Sequence, residues 1–154
     1  MFRGISAVNL DTKGRMAMPT RYRDDLQDQD QYQGKLVVTI DTESPCLLLY
    51  PLHEWEVIEK KLQNLPSFDP AARRIQRLLI GHATEIELDG NGRILLPPLL
   101  REYAGLDKKI MLVGQGKKFE IWSEERWQHE REVWLAAEAN GDVPLPDEIK
   151  SLAL

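Results

Sequence analysis

A turn motif that pairs an aspartate with an arginine occurs twice in the sequence. Residues 10–23 align without gaps on residues 88–101, and both segments follow the pattern L-D-x-x-G-R-x-x-[ML]-P-x-x-x-R. The aspartate can accept hydrogen bonds from the amides of a tight turn, and the glycine allows a positive φ. The arginine can pair with the aspartate, or it can present a planar guanidinium to phosphate oxygens and guanine edges. The structural part of the motif is expected to be Asp11, Gly14, Asp89 and Gly92.

Basic residues gather around the first copy of this turn. Residues 1–23 contain a single acid, Asp11, against five cations, which are Arg3, Lys13, Arg15, Arg21 and Arg23. An ion pair alone does not explain this excess, whereas a hairpin tip that carries cations suits contact with DNA. The predicted DNA-binding residues are Arg15, Lys13, Arg3, Arg21 and, in the second copy, Arg93.

A third group of arginines lies between the two copies. Ser67 or Asp69 can cap a helix that has Pro70 in its first turn, with an apolar stripe of Ala71, Ile75, Leu78 and Leu79. The other side of this helix carries Arg73, Arg74 and Arg77. Such a face is either simply solvated or a second DNA contact, and the sequence leaves both alternatives open.

The sequence contains little that indicates a catalytic site or a metal site. Cys46 opens an apolar segment, which favours a buried and inert thiol, and the three histidines lack the spacing of metal ligands. Residues 114–118 contain glycines and lysines without the spacing of a phosphate-binding loop, so a hairpin turn is expected there. We predict that the protein is not an enzyme and has no catalytic residue, metal or cofactor.

Composition limits the class of protein. A chain of 154 residues with 42% hydrophobic and 29% charged residues is typical of a folded domain. The single cysteine cannot form an internal disulfide and argues for a reducing compartment. The longest apolar runs are interrupted by prolines and are shorter than the roughly 20 residues that span a bilayer. We expect a cytoplasmic protein with no membrane partner, whose net charge of −5 conceals a basic N-terminus and an acidic region after residue 119.

The elements that position the turns recur in the same order. Residues 5–10 and 83–88 resemble strands that lead into the two turns, and a returning strand and a short helix at Pro19 or Pro97 follow. Two more strands and a longer helix complete each copy, with Trp127 and Trp134 seven residues apart in the second helix.

Neither copy is large enough to bury a core by itself, so the two must pack together. We therefore predict a mixed α+β fold, a pseudo-two-fold, swapped-hairpin β-barrel with interleaved strands and flanking helices. The expected organisation is 5–52 for the first unit, 53–80 for connecting helices, 81–124 for the second unit, and 125–154 for a C-terminal helix and tail.

Six segments together resemble the bacterial MraZ family: residues 1–4, 10–15, 19–23, 46–55, 77–82 and 88–93. The resemblance covers nearly the whole chain and implies a fused pair of AbrB/SpoVT-type swapped-hairpin units. It implies a transcriptional regulator, expected to be a repressor, that binds short direct repeats in double-stranded DNA. The implied target is the promoter of the division and cell-wall gene cluster, including the protein's own gene. The resemblance further implies a ring-shaped homo-oligomer and association with the nucleoid.

The family's D-x-x-x-R motif falls on Asp11 and Arg15, and again on Asp89 and Arg93. The second copy departs from the first because Asn91 replaces Lys13 and Leu99 replaces Arg21. A smaller role in DNA binding is therefore expected for the second turn.

The alternative function is an antitoxin-like interaction module, since such proteins share AbrB-type folds. Antitoxins usually carry a long disordered tail that wraps the partner, whereas only residues 139–154 follow the last predicted helix. The sequence therefore favours the DNA-binding function.

Overall fold

The two sequence copies fold into the same series of elements. In a computed structural model, which describes residues 1–28, 30–141 and 144–154, the first copy forms β1 (Phe2–Asn9), β2 (Arg15–Ala17), α1 (Thr20–Gln27), β3 (Lys35–Ile40), β4 (Leu47–Pro51) and α2 (Leu52–Gln63). Helix α3 (Pro70–Leu79) follows. The second copy forms β5 (Thr84–Glu87), β6 (Arg93–Leu95), α4 (Pro98–Tyr103), β7 (Lys109–Gly116), β8 (Phe119–Ser123) and α5 (Glu124–Asn140), and a short helix α6 (Asp147–Lys150) comes last.

Local signals explain several of these bounds. Helix α3 has Pro70 in its first turn, as predicted, and of the two candidate caps, Ser67 and Asp69, it is Asp69 that accepts the N–H of Ala71 at 2.9 Å. The hairpin expected at residues 114–118 joins β7 to β8, where the Gln115 N–H donates to the Lys118 carbonyl at 2.9 Å. Within α3 the predicted apolar stripe needs one correction, because Ala72 is buried and Ala71 is exposed.

Strands of the two copies are interleaved in the main sheet, with the first strand of each copy at an edge beside the other copy. This antiparallel sheet has the order β1-β7-β8-β4-β3-β5, so the first strand of each copy pairs with the third strand of the other. The pair β4–β8 occupies the centre of the order. The predicted mixed α+β class is confirmed.

The predicted barrel closure is not observed among the described residues. Strands β1 and β5 are the two edges of the main sheet, and β2 and β6 form a separate two-stranded ribbon. The expected hairpin between β1 and β2 is reduced to one bridge, between Leu10 and Met16. Both strands pair with the other copy instead, β1 along all 8 of its residues with β7 and β2 along its 3 residues with β6.

The main core lies between the sheet, the ribbon and the short helices. Met16 and Ile94 face each other across the ribbon and are both fully buried. Met18, Leu96 and Phe119 belong to the same cluster. Because residues of both copies interdigitate here, each copy completes the core of the other. A second apolar cluster joins β3 and β4 to α2 and contains Val37, Leu48, Tyr50 and Trp55.

The structure divides into two compact units, Met1–Glu124 and Glu125–Leu154. The second unit contains most of α5, where the rings of Trp127 and Trp134 meet edge to face with centroids 5.8 Å apart. The helix predicted from their spacing is confirmed. Among the described residues, no helix combines the length and the apolar character required to cross a membrane.

The motif glycines Gly14 and Gly92 are each held by a backbone bond to the other copy. The Met18 N–H donates to the Gly92 carbonyl at 2.9 Å, and the Leu96 N–H donates to the Gly14 carbonyl at 2.9 Å. These two bonds extend the β2–β6 ribbon at both ends. The turn of one copy is therefore built onto the strand of the other.

The final arginine of each repeated pattern, Arg23 or Arg101, packs over the motif glycine of the other copy. A methyl group added at Gly14 would lie 2.5 Å from Cζ of Arg101, and one added at Gly92 would lie 2.5 Å from Nε of Arg23. Both arginines are fixed, because Arg23 Nε donates to the Met18 carbonyl at 2.6 Å and Arg101 Nε donates to that of Leu96 at 3.0 Å. The repeated glycine and the repeated arginine thus form one contact, made across the two copies.

Replacing Gly92 by alanine should destabilise the protein. Gly92 has φ +72°, a conformation that costs a non-glycine residue about 1–2 kcal/mol, and the methyl group would also displace Arg23. We expect Gly92→Ala to lower the free energy of unfolding by at least this amount in urea denaturation. Gly90→Ala in the same turn is the matched control, because no atom lies within 4 Å of its added methyl group. Equal losses for the two variants would contradict the cross-copy contact.

Candidate nucleic-acid interface

The side chain of Asp11 closes the first turn. Its Oδ1 accepts the N–H groups of Lys13 at 2.9 Å and Arg15 at 2.8 Å, while Oδ2 accepts Nε of Arg15 at 2.8 Å. The backbone N–H of Arg15, followed by its side chain and the N–H of Lys13, holds the pKa of Asp11 below its ordinary value. The ionised carboxylate therefore orients the Arg15 side chain at neutral pH.

The second turn repeats this geometry. Asp89 Oδ1 accepts the N–H groups of Asn91 at 2.8 Å and Arg93 at 2.9 Å, and Oδ2 accepts Nε of Arg93 at 3.2 Å. The backbone N–H of Arg93 is the main cause of the lowered pKa of Asp89. The two motifs are thus equivalent in structure even though their flanking charges differ.

The structure brings the two arginines onto one surface. In the ribbon, Arg15 lies opposite Leu95, and Arg93 lies opposite Ala17. Side chains alternate between the two faces of a strand, so these four residues share the face opposite to the buried Met16 and Ile94. The side chains of Arg15 and Arg93 are 31% and 32% exposed. We call this surface, formed by Arg15, Ala17, Arg93 and Leu95, the ribbon face.

The other predicted DNA-binding residues lie in different surroundings. Lys13 is exposed within the first turn, and Arg3 is exposed on β1. Arg21 instead donates from Nη2 to the Ser6 hydroxyl, and its guanidinium lies 4.7 Å from the ring centroid of Tyr22. The structure therefore places Arg21 against β1. Arg73, Arg74 and Arg77 are exposed on α3.

Sequence reasoning missed the supporting role of Arg23 and Arg101. Each packs on the turn glycine of the other copy and so supports the backbone that carries Lys13 and Arg15, or Asn91 and Arg93. The signal was present as the final arginine of the repeated pattern. It could not be interpreted without knowing that the contact crosses between copies.

The two members of the ion pair should differ in their effect on stability. Asp11 accepts two backbone bonds in addition to the arginine, whereas the partly exposed Arg15 contributes one side of a solvent-screened pair. We expect Asp11→Ala to lower Tm clearly more than Arg15→Ala in thermal melts followed by circular dichroism. A Tm loss in Arg15→Ala that matches Asp11→Ala would assign Arg15 mainly to structure.

The contribution of Asp11 to Tm in these melts should decrease at low pH. Because the pKa of Asp11 lies below its ordinary value of 3.8 in the folded protein, its contribution is complete above that value and is lost as the pH falls through the lowered pKa. The Tm difference between the wild type and Asp11→Ala should therefore be full at pH 7 and shrink below pH 3.8. A difference that stays constant down to the acid transition would contradict this assignment.

The chain is similar to known proteins of a single family. A family model described as "MraZ protein, putative antitoxin-like" matches residues 1–78 and, a second time, residues 79–137. The chain is 58% identical to a protein named "Transcriptional regulator MraZ" from Legionella pneumophila (strain Corby) and 59% identical to one of that name from Coxiella burnetii (strain Dugway 5J108-111). A protein of the same name from Halorhodospira halophila (strain DSM 244 / SL1) is 54% identical. Each match covers 100% of both chains.

Proposed function

The chain belongs to the MraZ family of transcriptional regulators, and from this premise we propose that it binds double-stranded DNA through the ribbon face. The observation that carries the proposal is the position of Arg15 and Arg93, which share this face and are each oriented by an aspartate. Lys13 and Arg3 lie on exposed positions of the first copy and supply further positive charge.

The shape of the ribbon supports contact with the major groove. A two-stranded antiparallel ribbon is narrow enough to enter this groove, where arginine can bind the O6 and N7 atoms of guanine. The ion pairs with Asp11 and Asp89 restrict the arginine side chains before DNA is bound, which reduces the entropy lost on binding. In this arrangement Arg15 and Arg93 read bases, while Lys13 and Arg3 neutralise phosphates.

The reciprocal pairing of β1 with β7 and of β5 with β3 supports assignment of the fold to the AbrB/SpoVT swapped-hairpin type. We propose the biological role on the same family premise. The protein represses transcription from the promoter of the division and cell-wall gene cluster, including its own gene, and acts in the cytoplasm at the nucleoid. Its target is a series of short direct repeats, which a ring-shaped homo-oligomer contacts with several ribbon faces.

The direct experiment is footprinting of the purified protein on the promoter of its own gene cluster. Protection at regularly spaced repeats, abolished in the double variant Arg15→Ala/Arg93→Ala, is the expected result. Protection that is unchanged in the double variant would remove the ribbon face from the mechanism.

The positive charge of Lys13 in the first turn allows a more specific test of DNA contact. Lys13 and Asn91 occupy equivalent positions, and both donate a backbone N–H to the turn aspartate. Removing a cation that neutralises one phosphate should reduce the slope of log K against log salt by about 0.9. We expect Lys13→Ala to flatten the slope by this amount, whereas the matched control Asn91→Ala leaves it unchanged. Binding isotherms at several salt concentrations measure both variants, and identical slopes for the two would contradict a phosphate contact at Lys13.

The relative contribution of Arg15 and Arg93 to DNA affinity remains a prediction. Because Lys13 makes the first turn more cationic, Arg15→Ala is expected to reduce affinity more than Arg93→Ala, although both residues lie on the ribbon face. Equal reductions in these isotherms would mean that the two turns contact DNA equally.

The proposed oligomerisation predicts that affinity for DNA depends on the number of repeats in the probe. One ribbon face presents few cations and should bind a single repeat weakly. Several faces on one assembly bind successive repeats at high effective concentration. We expect affinity to rise steeply from probes with one repeat to probes with three, in gel shifts combined with light scattering. Equal affinity for all probes, with one monomer bound per repeat, would contradict the oligomeric mechanism.

The antitoxin-like interaction module is the second candidate, since the wording of the family description names it. It predicts that promoter binding is absent or insensitive to Arg15 and Arg93. The footprinting experiment therefore separates the two candidates.

A further inference from the structure

A thiol and two carboxylates converge beside the turn that joins β3 to β4. Asp41 follows β3, Cys46 precedes β4, and Glu120 lies in β8. One ligand atom from each residue lies within 4.8 Å of the other two. Cys46 is fully buried, and both carboxylates are half-buried. We propose that these three residues bind one divalent cation of the zinc class.

The spacing of two of the ligands already suits such a cation. Sγ of Cys46 lies 3.7 Å from Oδ2 of Asp41. Metal–sulfur and metal–oxygen bonds of about 2.3 and 2.1 Å, at a tetrahedral angle, separate sulfur and oxygen by about 3.6 Å. A carboxylate oxygen of Glu120 lies within 4.8 Å of both of these atoms and supplies the third ligand. The fourth tetrahedral position is then left to water.

Hydrogen bonds behind the ligands hold them in place. Nε1 of Trp122 donates to Oε1 of Glu120 at 3.0 Å, so Oε2 is the oxygen that can turn toward the cation. The Asp41 N–H donates to the Cys46 carbonyl at 3.0 Å and fixes the two residues relative to each other. The Glu43 N–H donates to Oδ1 of Asp41 at 3.3 Å. Partners of this kind orient metal ligands and strengthen metal binding.

The local charge favours a cation. The Cys46 thiol donates to Oδ2 of Asp41, and the carboxylates of Asp41 and Glu120 place two negative charges beside it. The Lys118 ammonium offsets only part of this negative charge. When a cation binds, the metal–sulfur bond replaces the S–H bond and the proton leaves to solvent.

The ligand set defines the class of cation. Magnesium and calcium require more oxygen ligands and do not favour sulfur, whereas Zn²⁺, Co²⁺ and Cd²⁺ accept thiolate together with carboxylate. The sequence predicts an inert thiol and no metal, because the ligands at positions 41, 46 and 120 form no compact motif. The site is separate from the ribbon face and would join β4 of the first copy to β8 of the second.

Cobalt titration of the full chain, after treatment with a chelator, tests the proposal. We expect a thiolate-to-cobalt absorption band in the near ultraviolet that saturates at one Co²⁺ per chain and is displaced by Zn²⁺. Cys46→Ser should abolish the band. Asp41→Asn and Glu120→Gln should weaken cobalt binding by at least about tenfold, the lower limit that loss of a supporting residue typically costs.

Glu85→Gln is the matched control, because Glu85 is a carboxylate of the same sheet, on β5, that lies outside the cluster. It should bind Co²⁺ like the wild type. The proposal is overturned if the wild type shows no band at millimolar Co²⁺, if the band persists in Cys46→Ser, or if both carboxylate variants bind with wild-type affinity. Circular dichroism of each variant verifies that it is folded, and the rise of Tm with Zn²⁺ provides a second readout that does not depend on DNA binding.

Discussion

The reciprocal pairing of β2 with β6 is the constraint on which the rest of the protein depends. Each of these strands has 3 residues, too few to form a stable element alone. They persist because Met16 and Ile94 are buried beneath the ribbon, and because backbone bonds to Gly14 and Gly92 extend it at both ends. Removing either copy would leave the other with an unpaired strand and an open core. Each copy therefore needs a second copy to fold against, since a single copy cannot exclude water from its apolar face.

The same short strands separate the residues that stabilise the fold from those proposed to contact DNA. Their inward side chains belong to the core, while their outward side chains, Arg15 and Arg93, remain accessible. The turn aspartates connect the two roles, because each satisfies backbone amides and also orients an arginine. A cation at the tip of a flexible loop would lose more conformational entropy on binding DNA. A cation on a ribbon that is anchored in the core loses less.

The proposed metal site depends on a similar meeting of the two copies. Asp41 and Cys46 come from the first copy and Glu120 from the second, so the cluster exists only because β4 pairs with β8. It lies at the centre of the sheet order, while the ribbon lies in a separate sheet. The proposed cation site and the proposed DNA-binding surface are thus assigned to different parts of one fold.

The sequence by itself determined the local chemistry: two D-x-x-G-R turns, helix α3 with Pro70 in its first turn, the helix that carries Trp127 and Trp134, and the mixed α+β class. These features depend on residues that are close in the chain, so spacing and side-chain type are enough to identify them. Only the tertiary structure decided that β1 pairs with β7, that Arg15 and Arg93 share one face, that Arg101 covers Gly14, and that Arg21 packs against β1. Each of these depends on contacts between distant residues. Similar repeats can pair within a copy or between copies, and only burial of the shared core selects between the two.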